Sequence, residues 1–227
     1  MLFRSPPEFF GRRNDYVDAV GSWCADAVAA GADSIDAYCD KGRFSAREAK
    51  WILNAGRAAG LLPRLHAGGD GRSGAAQLAA ELGCASADLL SGAKDEDVTA
   101  LAQAGVVAVL CPANLSDSRG LPPVRALLDK GVPIALGSGH APGANGITSM
   151  PLVISLAIST FGMSVTEALR AATVGGAQAL RAADRGAMAR GKLVDIVAWD
   201  ADHEGAFAWS YGVKPVRVWR GGESLVG

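Results

Sequence analysis

The chain of 227 residues is 49% hydrophobic, enough to bury one substantial core, most simply within a single domain. Its 22 basic and 23 acidic residues nearly cancel, so the sequence carries no electrostatic footprint for nucleic acid or an anionic membrane surface. The longest apolar stretch, Met150 through Met163, falls short of the roughly 20 residues that span a bilayer and is interrupted by Ser155, Ser159 and Thr160.

At the N-terminus, Met-Leu-Phe-Arg-Ser-Pro-Pro places prolines where a secretory leader needs an unbroken apolar run, which predicts a cytoplasmic protein. Asp15 to Ala30 reads as a helix closed by Gly31. Five short apolar runs follow, at Ser34 to Cys39, Leu62 to Ala67, Ser86 to Leu90, Val106 to Cys111 and Pro133 to Ser138. They alternate with stretches of helical spacing at about Ala46 to Ala59, Gly74 to Leu82, Asp95 to Ala104, Pro122 to Lys130 and Leu152 to Phe161. This alternation predicts an α/β protein of about five βα units around a parallel sheet. Ser45 and Ser164 each stand three residues ahead of a glutamate, Glu48 and Glu167, the spacing of a capping box. From Gly191 the texture changes, and Leu193 to Trp199 and Val213 to Trp219 read as strands of a separate layer. A soft boundary therefore divides residues 1–190 from a C-terminal β segment, 191–227.

The cysteines Cys24, Cys39, Cys84 and Cys111 are scattered and form no CxxC pair, which predicts reduced thiols. Cys39 and Cys111 fall near strand ends, where a reactive thiol is the alternative to a small core residue.

Several stretches carry a family likeness. They are Pro6-Pro7-Glu8 with Gly11-Arg12-Arg13 and Asp15-Tyr16-Val17-Asp18, Asp36-Ala37-Tyr38-Cys39-Asp40 with Phe44-Ser45, Leu65-His66-Ala67, and Ser86-Ala87-Asp88. Leu121-Pro122-Pro123-Val124, Gly131 to Leu136, Pro142-Gly143, Thr166-Glu167-Ala168-Leu169 and Gly191 to Ile196 continue the series. In this order and spacing they resemble the imidazolonepropionases, amidohydrolases that open a five-membered imidazolone ring in histidine breakdown. The resemblance covers nearly the whole chain and implies a partial (β/α)8-type barrel with functional groups at the C-terminal strand ends. Family members carry a small β-domain and an HxH metal pair ahead of the matching region.

The resemblance also implies metal ligands, and most are replaced. His66 is kept. Leu89 stands where a histidine should follow Ala87-Asp88, Gly69 at an acidic position, Gly139 at an aspartate and Ala141 at an asparagine. One histidine does not hold a catalytic zinc ion, so the expectation is no metal, no cofactor and catalysis by protein groups alone. On the functional face that the resemblance implies, His66, His140, Asp88 and Asp40 are the candidate catalytic groups. Lys41, Arg43, Asp70 and Arg72 are the candidates for binding substrate, the basic ones by holding a carboxylate. Taken singly, each reads equally well as a surface charge on an exposed loop, and His203 reads as a surface residue.

The resulting expectation is an enzyme carrying out cyclisation, elimination, hydration or C–N hydrolysis on a small nitrogen-containing carboxylic acid. The alternative is a non-catalytic paralogue that binds a ligand or stabilises a partner. A minor alternative rests on Gly69-Asp70-Gly71-Arg72-Ser73-Gly74, a GxGxxG ahead of a helix, with Asp88 placed for a dinucleotide ribose. Five strands do not close an eight-stranded barrel, so the edge strands need a cover. A homodimer is the expected cover, and a second amidohydrolase-like chain the alternative.

Overall fold

A computed structural model describes residues 7–68, 73–114, 120–142 and 145–226. A 3-10 turn, Pro7–Phe9, leads into α1 (Arg13–Ser22) and α2 (Cys24–Ala29). The single helix expected over Asp15 to Ala30 is thus broken at Trp23. Gly21 and Ser22, both weaker helix formers than alanine, end the first piece. A Cβ at Gly21 would meet the outer edge of the half-exposed Trp51 ring.

The βα succession then runs as its periodicity predicts: β1 (Ser34–Tyr38), α3 (Ala46–Ala58), β2 (Leu62–Ala67), α4 (Ala75–Glu81), β3 (Ser86–Leu89) and α5 (Asp95–Ala104). It continues with β4 (Val107–Leu110), α6 (Val124–Asp129), β5 (Ile134–Leu136) and α7 (Met150–Phe161). The five strands form a parallel sheet in the order β1-β2-β3-β4-β5, with β1 and β5 at its edges. Leu90 was expected in the third strand, but Leu89 and Leu90 both adopt the left-handed region, at φ 66° and 58°, and end it. Among the described residues, no helix is long and apolar enough to cross a membrane.

Two compact units divide the chain, Met1–Ala108 with Arg119–Val132, and Val109–Ser118 with Pro133–Gly227. In the first, α3 and α4 pack on β1, β2 and β3. Strand residues alternate between faces, and Ala37, Leu65 and Ala87 are buried, while Ile35 touches α3 so closely that Gly56 has no room for a Cβ. Both predicted capping boxes form; in α3 the Glu48 N–H donates to Ser45 Oγ at 3.3 Å and the Ser45 N–H to Glu48 Oε2 at 2.7 Å. Arg13 of α1 donates to Glu48 Oε2 at 3.0 Å and to the Arg43 carbonyl, tying α1, the cap of α3 and the loop between β1 and α3 together.

In the second unit, α7 is followed by α8 (Val165–Arg170), a π-helical turn Ala171–Gly175 and α9 (Gly176–Ala179). Beyond them β6 (Ile196–Trp199), α10 (Ala206–Trp209), β7 (Pro215–Arg220) and β8 (Glu223–Val226) build an antiparallel sheet in the order β6-β7-β8. Strand β8 was not foreseen, although Gly221-Gly222, both at positive φ, is a hairpin signal. The π turn packs on β5 at backbone distance, since a Cβ on Gly175 would lie 1.9 Å from the Ile134 carbonyl oxygen.

Two predictions follow from this packing. Gly175→Ala lowers stability by about 2–3 kcal/mol in urea unfolding, whereas the neighbouring Gly176→Ala, where a Cβ meets open space, changes it by less than about 1 kcal/mol. The second concerns Glu48, whose carboxyl is lowered to about 2 chiefly by the hydrogen bond from Arg13, so its stabilisation is present above its ordinary value of 4.5 and lost as pH falls through about 2. Glu48→Gln therefore costs about 1 kcal/mol near neutrality, and the gap from the parent chain closes at the acid end of a pH series.

Candidate active site

Opposite the helix-covered face, β1, β2 and β3 carry a block of polar side chains. The register pairs Asp36 with Arg64, Tyr38 with His66, Arg64 with Ser86 and His66 with Asp88, so all six share one face. His66 and Asp88 lie at the C-terminal ends of their strands, with Nδ1 of His66 3.4 Å from Oδ2 of Asp88. Their side chains are 18% and 27% exposed, buried enough to interact and open enough to meet a solute. The Tyr38 ring stands edge-on to the imidazole at 4.0 Å between centroids, and the Arg43 guanidinium lies 5.2 Å above the other ring. Gly68 closes a further side, where a Cβ would come within 3.3 Å of His66 Nε2. The imidazole is thus held by its surroundings. A carboxylate beside Nδ1 is the neighbour that orients a histidine used in acid–base chemistry.

Asp36 belongs to the same cluster and was not among the sequence candidates. Its Oδ1 is cut off from solvent and has no hydrogen-bond partner. Burial, and then the Asp88 charge, raise its carboxyl to about 7 against the opposing pull of His66 and two backbone N–H groups. Arg64, opposite it in register, donates to Ser86 Oγ at 3.1 Å. A signal existed in the alternation Ile35-Asp36-Ala37-Tyr38, which puts an acid beside Tyr38 on the polar face.

The loop after β1 builds a second feature. Gly42 at φ 75° lets it double back, and the Phe44 N–H bonds the Tyr38 carbonyl at 3.1 Å. A cavity of about 830 Å³ opens here, lined among others by Arg13, Asp40, Lys41, Arg43, Ser45 and Ser73. Asp40 is only 7% exposed, and its Oδ1 accepts the Lys41 N–H at 2.7 Å, so part of its capacity goes into shaping the loop. Lys41 is exposed and Arg43 half-buried on the cavity wall.

Asp70 and Arg72, like Gly69 and Gly71 of the glycine motif, lie outside the described residues. Asp88, which a dinucleotide reading would place on a ribose, faces His66. His140 is exposed in the second unit, its N–H donating to Ser138 Oγ at 3.2 Å, and the exposed His203 accepts the Gly205 N–H at 2.8 Å. Burial pushes the Cys39 and Cys84 thiols up to about 11, which marks them as core residues rather than nucleophiles.

The ligand positions implied by the resemblance do not converge on an ion among the described residues. Among the described residues, no three His, Cys, Asp or Glu side chains converge to hold one. At the expected aspartate, Gly139 has φ 63°, and a Cβ would lie 2.7 Å from Asn114 Oδ1. That amide is pinned, because Asn145 Nδ2 donates to Asn114 Oδ1 at 2.7 Å and to the Ser138 carbonyl at 2.9 Å, while Asn145 Oδ1 accepts the Ile147 N–H at 2.9 Å.

Comparison with known proteins agrees with the sheet and with the order of the motifs. Residues 44–225 match the amidohydrolase family. The imidazolonepropionase of Rhodococcus jostii (strain RHA1) is 45% identical over 221 residues, 96% of this chain and 54% of that protein. The chain therefore spans about half the length of the curated relatives it matches. Among solved structures, a triazine hydrolase variant superposes with a TM-score of 0.76 at 20% identity, covering 92% of this chain and 55% of the other. An adenosine deaminase from Xanthomonas campestris with bound zinc does so with a TM-score of 0.71 at 21% identity, covering 94% and 56%. These distant likenesses speak for the fold, a part of a (β/α)8-type barrel. By its family match and by its motifs in order, the chain belongs to the amidohydrolase family and is imidazolonepropionase-like in sequence.

Proposed function

We propose that this chain hydrolyses a C–N bond in a small nitrogen-containing carboxylic acid, using His66 and Asp88 in place of a metal ion. The observation that carries the reading is the His66–Asp88 pair, held at 3.4 Å on the open ends of β2 and β3. The name shared by the imidazolonepropionase relatives supports a cyclic C–N bond as the target. The cavity in the loop after β1, with Lys41 on its wall and with Arg43 reaching over the Tyr38 ring that abuts His66, supports a carboxylate on the substrate.

In this scheme Lys41 and Arg43 hold the substrate carboxylate and fix the reacting carbon over the imidazole. His66 Nε2 takes a proton from water while the water oxygen bonds to the carbonyl carbon of the ring. Asp88 stabilises the imidazolium that results and keeps its Nδ1 proton in place. The C–N bond then breaks, its electron pair stays on nitrogen, and the imidazolium returns its proton to that nitrogen. Proton and charge balance without a further reactant.

Turnover should be sought against a panel of cyclic amides and amidines bearing a carboxylate. Under saturating substrate, His66→Ala lowers kcat by about 10²–10⁴-fold, and Lys41→Ala raises KM more than it lowers kcat. His140→Ala leaves both parameters near those of the parent, and exhaustive chelation leaves the rate unchanged. Stoichiometric zinc whose removal abolishes turnover would sink the proposal, as would full activity in His66→Ala.

A further inference from the structure

We propose that Asn145-Gly146 is a spontaneous modification site, an asparagine that the native fold holds as its amide and whose conversion to an acid loosens the chain after β5. The inference is independent of the catalytic reading above and involves none of its residues.

The sequence supplies the reactivity. Asn145-Gly146 is the one Asn-Gly pair in the chain, whereas Asn14, Asn54 and Asn114 precede Asp15, Ala55 and Leu115. A backbone nitrogen on a residue without a Cβ is the least hindered nucleophile that a chain offers to the side-chain amide before it. The Gly146 nitrogen gives its proton to solvent and bonds to Asn145 Cγ. The Cγ–Nδ2 bond breaks, and nitrogen leaves with the electron pair and takes up a proton as ammonia. Water then opens the five-membered imide to an aspartate or isoaspartate. One water is consumed, one ammonia is released, and no other reactant takes part.

The structure supplies the restraint. Asn145 Nδ2 donates to Asn114 Oδ1 at 2.7 Å, to the Ser138 carbonyl at 2.9 Å and to the Gly139 carbonyl at 3.2 Å, while Oδ1 accepts the Ile147 N–H at 2.9 Å. The backbone is clamped as well, since Asn145 and Ala141 exchange both of their N–H to carbonyl bonds at 2.9 Å. Bringing Cγ over the Gly146 nitrogen requires the side chain to turn, and a turn breaks hydrogen bonds at both ends of the amide. The nitrogen that must leave is the atom held by three acceptors. Reaction therefore belongs to the minority of molecules in which this stretch has opened.

The same partners disfavour the product. Three acceptors surround the position of Nδ2, and an ionised carboxylate places there an oxygen with no hydrogen to donate. The Ser138 and Gly139 carbonyls and the Asn114 amide then lose a donor and face a negative charge, which is worse than a bond simply not made. Conversion is irreversible, so each opening that ends in reaction removes a molecule from the closed arrangement.

The test ages the intact chain at mildly alkaline pH, folded and in urea, and follows each asparagine by peptide mapping in a mass spectrometer. In urea Asn145 is expected to convert ahead of Asn14, Asn54 and Asn114, and in the folded chain about tenfold or more slowly than in urea. Gly146→Ala, where a Cβ meets nothing within 4 Å, is expected to slow the reaction in urea, and Asn114→Ala to speed it in the folded chain. Asn145→Asp is expected to speed hydrogen exchange of the amides at Ala141, Ile147 and position 145 about tenfold or more. Equal rates in the folded chain and in urea would overturn the inference, as would no preference for Asn145 in urea, a folded rate that Asn114→Ala leaves unchanged, or unchanged exchange in Asn145→Asp. Where a variant fails to fold, the parent chain decides: the folded and urea rates need no substitution, and aged parent molecules separated by charge from unconverted ones give the same exchange comparison.

Discussion

The period-two alternation of a β-strand is the constraint on which the first unit depends. Helices α3 and α4 claim one face of β1, β2 and β3 and bury Ala37, Leu65 and Ala87 on it. Every residue between them must then point the other way, and at those places the sequence has Asp36, Tyr38, Arg64, His66, Ser86 and Asp88. A one-residue slip would drive two acids and a histidine into the helix interface, so the core and the polar site fix each other's register. The ionisable cluster is therefore a property of the sheet rather than of any one loop.

The loop after β1 owes its place to a different device. Arg13 reaches from α1 to the Glu48 carboxylate and the Arg43 carbonyl, and Glu48 is also the partner of Ser45 at the start of α3. One ion pair, half-exposed at its arginine end, thereby joins two helices and the segment bearing Lys41 and Arg43. Arg43 in turn covers Tyr38, which abuts His66. A perturbation of α1 has a continuous physical route of packed and bonded groups to the imidazole.

Much of this was legible in the sequence, and the parts that were not have particular reasons. The succession of βα units and both capping boxes follow from periodicity and from Ser-x-x-Glu spacing. His66 and Asp88 were placed by motif, and the sheet brings them together. Asp36 escaped because a single acid inside a strand carries no motif; only the pairing of three strands discloses its neighbours. The break at Trp23 escaped because its local signals, Gly21 and Ser22, are weak ones inside an otherwise helical run. The early end of β3 escaped because leucine gives no warning of a left-handed backbone, and two such residues in succession mark local strain beside the site.

Gly139 bears on the history open to this chain. An acid introduced there alone meets a backbone at φ 63° and an Asn114 amide that Asn145 holds in the same space. Removing Asn114 alone takes one acceptor from Asn145 Nδ2, which still donates to the Ser138 carbonyl, and leaves the positive φ of residue 139 in place. The two changes are useful only together, so their effects are coupled rather than additive. A carboxylate at that strand end therefore needs room made at Asn114 as well as a residue that accepts a left-handed backbone.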